Sequence, residues 1–283
     1  MKILCAALIA ASLNAQAPVQ RDTEVFGQKI HYVEAGAGPV VVLLHGLGAD
    51  TSSWAFTIPT LAKHFHVYAP DQIGFGQSAK PEINYRVETL VEFLDGFYQK
   101  LGIGKATVVG NSLGGWTAMA FTLAHPDKVE KLVLVDSAGY APPAGAEPEQ
   151  IRARLRQLNP STIEGTKVLL GIIFANPQMA NDANARQAFE GHLKKNDGYT
   201  ISQFTESIVR GEDVVDGKLG AIKNPTLLIW GREDQLTPLD GEERMAREIA
   251  GAQSLILDHC GHVPQMECAG PFNAGLVKFL SGQ

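Results

Sequence analysis

The chain has 283 residues, with 24 basic and 30 acidic side chains and a formal net charge of −6. It contains no basic block, so nucleic acid and anionic membrane surfaces are poor candidate partners. The metal-binding patterns C-x-x-C and H-E-x-x-H are missing from the sequence, and we expect neither a metal nor another cofactor.

The first seventeen residues have the features of an export signal. Lys2 precedes an apolar run from Ile3 to Ala11, and the small residues Ala15 and Ala17 follow it. The run is too short for a stable membrane anchor, so we expect cleavage after Ala17. An uncleaved apolar N-terminal helix is the alternative. The sequence therefore predicts an exported protein, periplasmic or secreted, with no membrane anchor after cleavage.

Strands and helices alternate through most of the remaining chain. Phe26 to Glu34 alternates apolar and polar residues, which suits an edge strand with one face in water. Trp54 and Phe56 are candidate anchors of the segment Ser53 to His64. Five further strands are predicted at Val40–Leu44, His66–Pro70, Thr107–Val109, Lys131–Val135 and Thr226–Trp230, and a sixth at Ser254–Leu257. Helices are predicted at Asn84–Leu101, Trp116–Leu123, Leu239–Ile249 and Phe272–Leu280. This alternation predicts a doubly wound, mostly parallel α/β sheet.

The alternation is interrupted between residues 139 and 217. A segment rich in proline and glycine is followed there by helical patterns without a strand signal. The four predicted helices are Glu149–Leu158, Ser161–Phe174, Met179–Lys195 and Tyr199–Arg210. We interpret residues 139–217 as an α-helical cap inserted into a core formed by residues 18–138 and 218–283.

A serine marks the sharp turn between the third buried strand and its helix. Gly110-Asn111-Ser112-Leu113-Gly114 has the spacing G-x-S-x-G, in which the flanking glycines let the strand and helix backbones approach closely. Ser112 is therefore the candidate nucleophile. The same spacing also occurs in turns whose serine only caps the helix, so the residues around it decide its role.

A serine nucleophile needs a general base, and that base needs an acid to fix its tautomer. Asp234 and His262 follow two later strands, whose carboxyl ends open on the same sheet edge as Ser112. The order Ser, Asp, His is typical of this architecture. Glu233 and Asp136 are alternative acids, and His259 is an alternative base. We favour Asp234 for its reach from the strand, and His262 for its flanking Gly261.

An oxyanion formed at Ser112 needs hydrogen-bond donors. The Leu113 N–H lies at the start of the helix, where the helix dipole also favours negative charge. The loop His45-Gly46-Leu47-Gly48 leaves another strand on the same edge, which makes the Leu47 N–H the second candidate. We interpret His45 as a structural residue that holds this loop.

Cys260 and Cys268 are the two cysteines that would remain after export. An oxidising compartment permits a disulfide between them, closing a small loop around His262. Two free buried thiols are the alternative.

The motifs together resemble those of α/β-hydrolase fold enzymes with a helical cap. The resemblance covers Gly27 to Leu280 and rests on H-G-L-G, D-x-x-G-F-G-x-S, G-N-S-L-G-G, G-R-E-D and C-G-H. It implies a triad of Ser112, Asp234 and His262, oxyanion donors at Leu47 and Leu113, and a small-molecule apolar substrate.

A serine at the turn excludes the epoxide and haloalkane chemistry that uses an aspartate there. Our first expectation is a carboxylic ester hydrolase that acts through an acyl-enzyme. The alternative is a carbon–carbon hydrolase, because G-N-S-L-G-G and the Asp and His motifs are similar to those of meta-cleavage product hydrolases, which split vinylogous diketones.

Two positions depart from that second group. It usually has a Ser-Gly-Pro-Gly loop where this chain has Leu47-Gly48, and a tryptophan where Val263 stands. Arg186 is a candidate partner for the substrate carboxylate, although a solvated helix arginine is the simpler interpretation. A ligand receptor built on the same fold is a non-enzymatic alternative.

Overall fold

The protein is described from a computed structural model, which covers residues 17–143 and 145–282. The predicted export signal lies outside the described residues except for Ala17. In the described part of the chain, no helix is both long and apolar enough to span a membrane.

Eight strands form a single sheet in the order β1-β2-β4-β3-β5-β6-β7-β8. Their bounds are β1 Val19–Val25, β2 Gln28–Ala35, β3 Val40–Leu44, β4 His66–Pro70, β5 Ala106–Asn111, β6 Val129–Val135, β7 Thr226–Gly231 and β8 Gln253–Leu257. The pairs β1–β2 and β2–β4 are antiparallel, and all later pairs are parallel. The predicted doubly wound, mostly parallel sheet is confirmed.

Helices cover both faces of the sheet and link its strands. Their bounds are α1 Ile58–Leu61, α2 Val87–Leu101, α3 Leu113–Ala124, α4 Pro148–Arg156, α5 Ile163–Ile173, α6 Asp182–Lys195, α7 Gly198–Val209, α8 Leu239–Glu248, α9 Pro264–Glu267 and α10 Ala269–Ser281. Side chains of α2, α3 and α8 fill the core on one face, and those of α1 and α10 fill it on the other. Parallel strands buried on both faces explain the unbroken apolar runs in the sequence.

The direction of winding reverses at β3. The chain moves from β3 to β4 on one side and later returns to β5 on the other side. In open α/β sheets, such a reversal leaves a crevice at the carboxyl ends of the two central strands. That crevice lies between the loop after Leu44 and the turn at Ser112.

The predicted edge strand is wrong in its position. β1, which the sequence pattern does not predict, forms the edge, and Val25 pairs with Gln28 across a two-residue turn. Phe26 and Gly27 form this turn with φ of 51° and 71°, as a type I′ hairpin requires. Phe26 is therefore a turn residue and not the first residue of a strand.

Of the two predicted anchors after β3, only Trp54 is correct. Trp54 is fully buried, whereas 59 % of Phe56 is exposed. The segment forms a short 3₁₀ turn, Thr51–Trp54, followed by α1. Only Trp54, the last residue of this turn, enters the core.

The segment between β6 and β7 forms the helices α4 to α7, in the places where the sequence predicts helices. Aromatic contacts join α7 to the core, where the Phe204 ring stacks on Phe75 and contacts Tyr85. The role of residues 139–217 as a cap over the site stays a prediction.

Candidate active site

Ser112 lies at the tip of the turn between β5 and α3. Its backbone has φ 55° and ψ −116°, a conformation that L-residues avoid unless the surroundings enforce it. A Cβ on Gly110 would lie 2.1 Å from the Gly114 carbonyl oxygen, and one on Gly114 would lie 2.2 Å from that of Leu44. Both glycines are therefore required by close backbone approach, as the spacing predicts.

Asn111 joins this turn to the loop that carries His262. Its side-chain amide donates to the His262 carbonyl oxygen at 3.0 Å and to that of Val135 at 3.2 Å. Its Oδ1 accepts from the Gln265 amide at 3.2 Å. The residue next to Ser112 is therefore hydrogen-bonded, through its side chain, to the backbone of the predicted base.

His262 and Asp234 are hydrogen-bonded to each other. The distance from His262 Nδ1 to Asp234 Oδ2 is 2.8 Å, and both side chains are buried. An Nδ1–H donated to a carboxylate leaves Nε2 of the neutral imidazole as a proton acceptor. This pair thus has the arrangement that a general base and its orienting acid require.

Asp234 is surrounded by donors. Besides His262, its carboxylate accepts from the Leu236 and Thr237 backbone N–H groups at 2.8 and 3.1 Å and from the Thr237 hydroxyl at 2.7 Å. Burial alone would raise the pKa of Asp234, but His262 and Thr237 outweigh this effect and lower it. The carboxylate is therefore ionised at neutral pH.

The alternative residues occupy different places. His259 points into solvent, with 96 % of its side chain exposed. Glu233 accepts from the Cys260 backbone N–H at 3.1 Å, so it supports the loop after β8. Asp136 is fully buried at the end of β6, and its carboxyl group lies next to Asp234 and His262.

The loop after β3 is held by His45, in line with its structural interpretation. The buried ring donates from Nδ1 to the Gly46 carbonyl oxygen at 2.8 Å, and Nε2 accepts from the Gln72 backbone N–H at 2.9 Å. Burial lowers the pKa of His45, which agrees with a neutral ring that donates at one nitrogen and accepts at the other.

Gly46 lies beside the nucleophile, one residue before the predicted oxyanion donor Leu47. A Cβ on Gly46 would lie 3.2 Å from the Ser112 Cβ, so the residue before Leu47 is in contact with the serine. Leu113 begins α3, and the first N–H groups of a helix have no acceptor within it. The assignment of Leu47 and Leu113 as oxyanion donors stays a prediction.

Three side chains here have the composition of a metal site. Within residues 17–143 and 145–282, Asp136, Asp234 and His262 form the one cluster of three acidic, histidine or cysteine side chains that could share a metal ion. Each offers one ligand atom, and these atoms lie within 4.8 Å of one another. His262 Nδ1 and Asp234 Oδ2 are hydrogen-bonded to each other, which is the contact that a catalytic pair uses.

The family follows from comparison with known proteins. Residues 39–269 match the sequence profile of a family described as alpha/beta hydrolase fold, which is well over half of the chain. The chain belongs to the α/β-hydrolase fold family. Its relatives are hydrolases, and the protein is accordingly an α/β hydrolase.

Two curated relatives cover nearly the whole of this hydrolase. The 2-hydroxymuconate semialdehyde hydrolase of Pseudomonas sp. (strain CF600) is 31% identical over 271 residues, 93% of this chain and 94% of the relative. The 2-hydroxy-6-oxononadienedioate/2-hydroxy-6-oxononatrienedioate hydrolase of Cupriavidus pinatubonensis (strain JMP 134 / LMG 1197) is 32% identical and covers 92% of each chain.

Solved structures of two kinds share the fold. A meta-cleavage product hydrolase from Pseudomonas fluorescens IP01 has a TM-score of 0.83 and 31% identity, covering 93% of this chain and 97% of its own. A bacterial membrane phospholipase A has a TM-score of 0.82 and 28% identity, covering 94% of this chain and 86% of its own.

The α/β hydrolase also contains supporting residues that sequence reasoning missed. Glu267 accepts from the Gly261 N–H at 2.7 Å and from the Ala175 and Asn176 N–H groups at 3.1 and 2.7 Å. Its carboxylate thus ties the loop of His262 to the segment after α5. The sequence contains no local signal for the tie to α5, because Ala175 and Asn176 lie about ninety residues away.

A disulfide closes the same loop. Cys260 and Cys268 are bonded, with a Cα–Cα distance of 6.1 Å, so the structure favours the disulfide over two free thiols. The His262 backbone N–H also donates to the Ile173 carbonyl oxygen at 2.7 Å. The position of His262 is therefore fixed by the disulfide on one side and by the end of α5 on the other.

Two cationic side chains of α6 have contrasting surroundings. Lys195 donates to the Gly48 carbonyl oxygen at 3.0 Å and pairs with Asp50 at 2.9 Å, which connects α6 to the loop that contains Leu47. Arg186 is exposed, as expected for a solvated helix arginine. Its role as a carboxylate partner stays a prediction.

Proposed function

We propose that this α/β hydrolase cleaves a carbon–carbon bond in a 2-hydroxy-6-oxo-2,4-dienoic acid, with Ser112, His262 and Asp234 as its catalytic residues. The observation that carries the proposal is the 31% identity, over 93% of the chain, to a 2-hydroxymuconate semialdehyde hydrolase. Carbon–carbon hydrolysis, the alternative in the sequence analysis, thereby becomes a stronger candidate than ester hydrolysis. The arrangement of the buried pair supports the chemistry.

The first step is attack by Ser112 on the 6-oxo carbon. Because His262 Nδ1 donates to Asp234, Nε2 is free to take the proton of the serine hydroxyl. Asp234 keeps the imidazole in this tautomer and stabilises the imidazolium that forms. The strained backbone of Ser112 holds its hydroxyl at the tip of the turn.

The second step breaks the bond between C5 and C6. The tetrahedral oxyanion receives hydrogen bonds from the Leu47 and Leu113 N–H groups. When the oxyanion collapses, the electron pair of the broken bond remains on C5. This step uses the diketone tautomer of the substrate, which forms when the proton of the 2-hydroxyl group moves to C5. In that tautomer, the electron pair left on C5 is conjugated through the C3–C4 double bond to the 2-oxo group. The charge is therefore delocalised, and the His262 imidazolium returns its proton to the leaving carbon.

Water completes the reaction. The acyl group remains on Ser112, and His262 removes a proton from the water that attacks it. The products are a carboxylic acid and a 2-oxo acid or its enol. An ester would pass through the same acyl-enzyme, with an alcohol as the leaving group, so the triad alone does not distinguish the two substrates.

The test compares the two substrate classes on one enzyme preparation. We expect kcat/KM for 2-hydroxy-6-oxo-6-phenylhexa-2,4-dienoate, followed by the loss of its dienolate absorbance, to exceed that for p-nitrophenyl butyrate by roughly 100-fold or more. Preferential turnover of the ester would overturn the proposal. Saturable binding of the dienoate without turnover of either compound would favour the receptor alternative.

A serine variant tests the nucleophile separately. Ser112→Ala should abolish labelling by a fluorophosphonate and lower kcat on both substrates by about 10⁴-fold or more. Ser161→Ala, which removes an exposed hydroxyl between α4 and α5, is the matched control and should label like the wild type. Full labelling of the Ser112→Ala protein would mean that another residue is the nucleophile.

Ester hydrolysis is the second candidate function, and the residues near the triad favour it. This chain has Leu47-Gly48 in the loop after β3 and Val263 after the predicted base. Meta-cleavage product hydrolases usually have a Ser-Gly-Pro-Gly loop and a tryptophan at these two positions. The structural similarity to a bacterial membrane phospholipase A also supports ester hydrolysis.

We also propose that the protein is exported. The support is the Lys2 and apolar-run pattern of the first seventeen residues, together with a disulfide that an oxidising compartment would maintain. N-terminal sequencing of protein recovered from a periplasmic or culture fraction should begin at Pro18. A protein that remains in the cytoplasm with Met1 or Lys2 at its start would contradict this proposal.

A further inference from the structure

Asp136 has no role in the proposed mechanism, yet its carboxyl group is one of the most enclosed in the described chain. The residue is 0 % exposed and has a left-handed backbone, with φ of 43°. Its Oδ1 accepts from the Gly231 N–H at 2.9 Å, while Oδ2 has no donor and faces the Asp234–His262 pair. A buried oxygen without a partner next to a carboxylate requires a physical explanation.

The number of donors at each acid shows where a proton resides. Asp234 has three backbone or ring donors and the Thr237 hydroxyl, whereas Asp136 has a single N–H. Two buried carboxylates at this separation repel each other strongly, so one of them holds a proton. The better solvated of the two keeps the charge, and this is Asp234.

We propose that Asp136 is a positioning residue, which stays protonated and donates a hydrogen bond from its Oδ2 to the Asp234 carboxylate. This bond satisfies the unpaired oxygen and helps to hold the Asp234 carboxylate in place. The imidazole orientation then depends on three supports for Asp234: its own turn, Thr237 and Asp136. Burial, followed by the charge of Asp234, raises the pKa of Asp136 well above its ordinary value, which agrees with this arrangement.

The titratable groups that face Asp136 are Asp234, after β7, and His262, after β8. Its other polar contacts are with the Gly231 N–H, the Thr237 hydroxyl and the Ile229 carbonyl oxygen, which are neutral. An ionised Asp136 would therefore add a negative charge beside His262 and raise the pKa of the imidazole. A protonated Asp136 adds none, and the two states predict different responses to an uncharged replacement.

The inference rests on the proposed function only in taking His262 as the base for Ser112. The experiment uses the full chain and the rate of Ser112 labelling by a fluorophosphonate as a function of pH. Asp136→Asn preserves an N–H donor for Asp234 and an acceptor for Gly231, and Asp136→Ala removes both. We expect Asp136→Asn to label within about threefold of the wild type, with the acid midpoint unchanged within about 0.3 pH units. Asp136→Ala should label at least about tenfold more slowly.

A fall in the acid midpoint of Asp136→Asn by one unit or more would show that the wild-type residue is charged, and would overturn the inference. Equal labelling by Asp136→Ala and wild type would also overturn it. Infrared spectroscopy gives an independent measurement on wild-type protein: a protonated carboxyl band should be present at pH 7 and missing in Asp136→Asn. Absence of the band from wild type would refute the inference, whereas an unlabelled wild type with the band present would refute the proposed function instead.

Discussion

Gly261 gives a sharp test of how the end of α5 controls the predicted base. A Cβ added at this position would lie 2.3 Å from the Ile173 carbonyl oxygen and 2.8 Å from the Ala175 nitrogen. Side-chain Cβ atoms essentially never approach other atoms closer than 3.0 Å. The two backbone segments would therefore have to separate by at least 0.7 Å, the difference between 3.0 Å and 2.3 Å. Both obstacles are main-chain atoms, so no side chain can move aside to relieve the contact.

The expected cost of Gly261→Ala follows from that displacement. Overpacking of this kind destabilises proteins by about 1 to 3 kcal/mol. The shift also lengthens the bond from the His262 N–H to the Ile173 carbonyl oxygen, now 2.7 Å, and so moves the imidazole away from Ser112. Misplacement of a catalytic group by about 1 Å costs up to roughly 100-fold in rate. We expect the rate of Ser112 labelling to fall about 10- to 100-fold.

Gly270→Ala is the matched control, because it adds the same methyl group in a nearby part of the chain. Gly270 is exposed in α10, and no atom lies within 4 Å of its added Cβ. The assay is fluorophosphonate labelling at a temperature well below the melting transition, with urea unfolding measured on the same samples. If Gly261→Ala labels within threefold of Gly270→Ala and is equally stable, the reasoning from this close approach is wrong.

Three further predictions concern the loops on either side of the site. Replacing Cys260 and Cys268 by alanine opens a loop with a sequence separation of 8. From the entropy of loop closure, we expect the free energy of unfolding to fall by about 2.5 kcal/mol. Urea unfolding should show this loss, and wild type treated with reductant should match the variant. Lys195→Ala removes the contact with Gly48 and the ion pair with Asp50, and should lower kcat about three- to tenfold. The matched control is Lys194→Ala, which changes an exposed neighbour and should leave kcat unchanged. Burial opposes ionisation of Asp50, but Lys195 and Ser52 outweigh it and lower its pKa to about 2, so this carboxylate stabilises the fold above about pH 4 and the contribution is lost as the pH falls towards 2. Acid unfolding curves of Lys195→Ala should lack that component, and an unchanged curve would contradict the pairing.

Much of the sheet was predictable because parallel strands are buried on both faces. Val40–Leu44, for example, is an unbroken apolar run, and the structure gives β3 the same bounds. β1 was not predictable in this way, since most of its residues are exposed and it pairs only with β2. Its strand conformation depends on a cross-strand partner and on the turn at Phe26 and Gly27, and neither leaves an apolar pattern in the sequence.

The site was predictable to the extent that its residues follow strand ends. Ser112, Asp234 and His262 each follow a buried strand, and parallel order brings such ends to one edge. The structure places Asp234 and His262 in contact, and Asn111 joins their neighbourhood to Ser112. Glu267 was missed because its carboxylate acts on backbone N–H groups that only the folded chain brings together.

The choice between the two acids shows where sequence reasoning reaches its limit. Asp136 and Asp234 both follow buried strands, and both lie within reach of His262, so strand position alone does not separate their roles. What separates them is the number of hydrogen-bond donors. The chain after β7 turns back so that Leu236 and Thr237 donate to Asp234, whereas the chain after β6 leaves Asp136 with one donor. The charge therefore settles on the acid whose own loop solvates it, and the neighbouring acid is free to act as a donor.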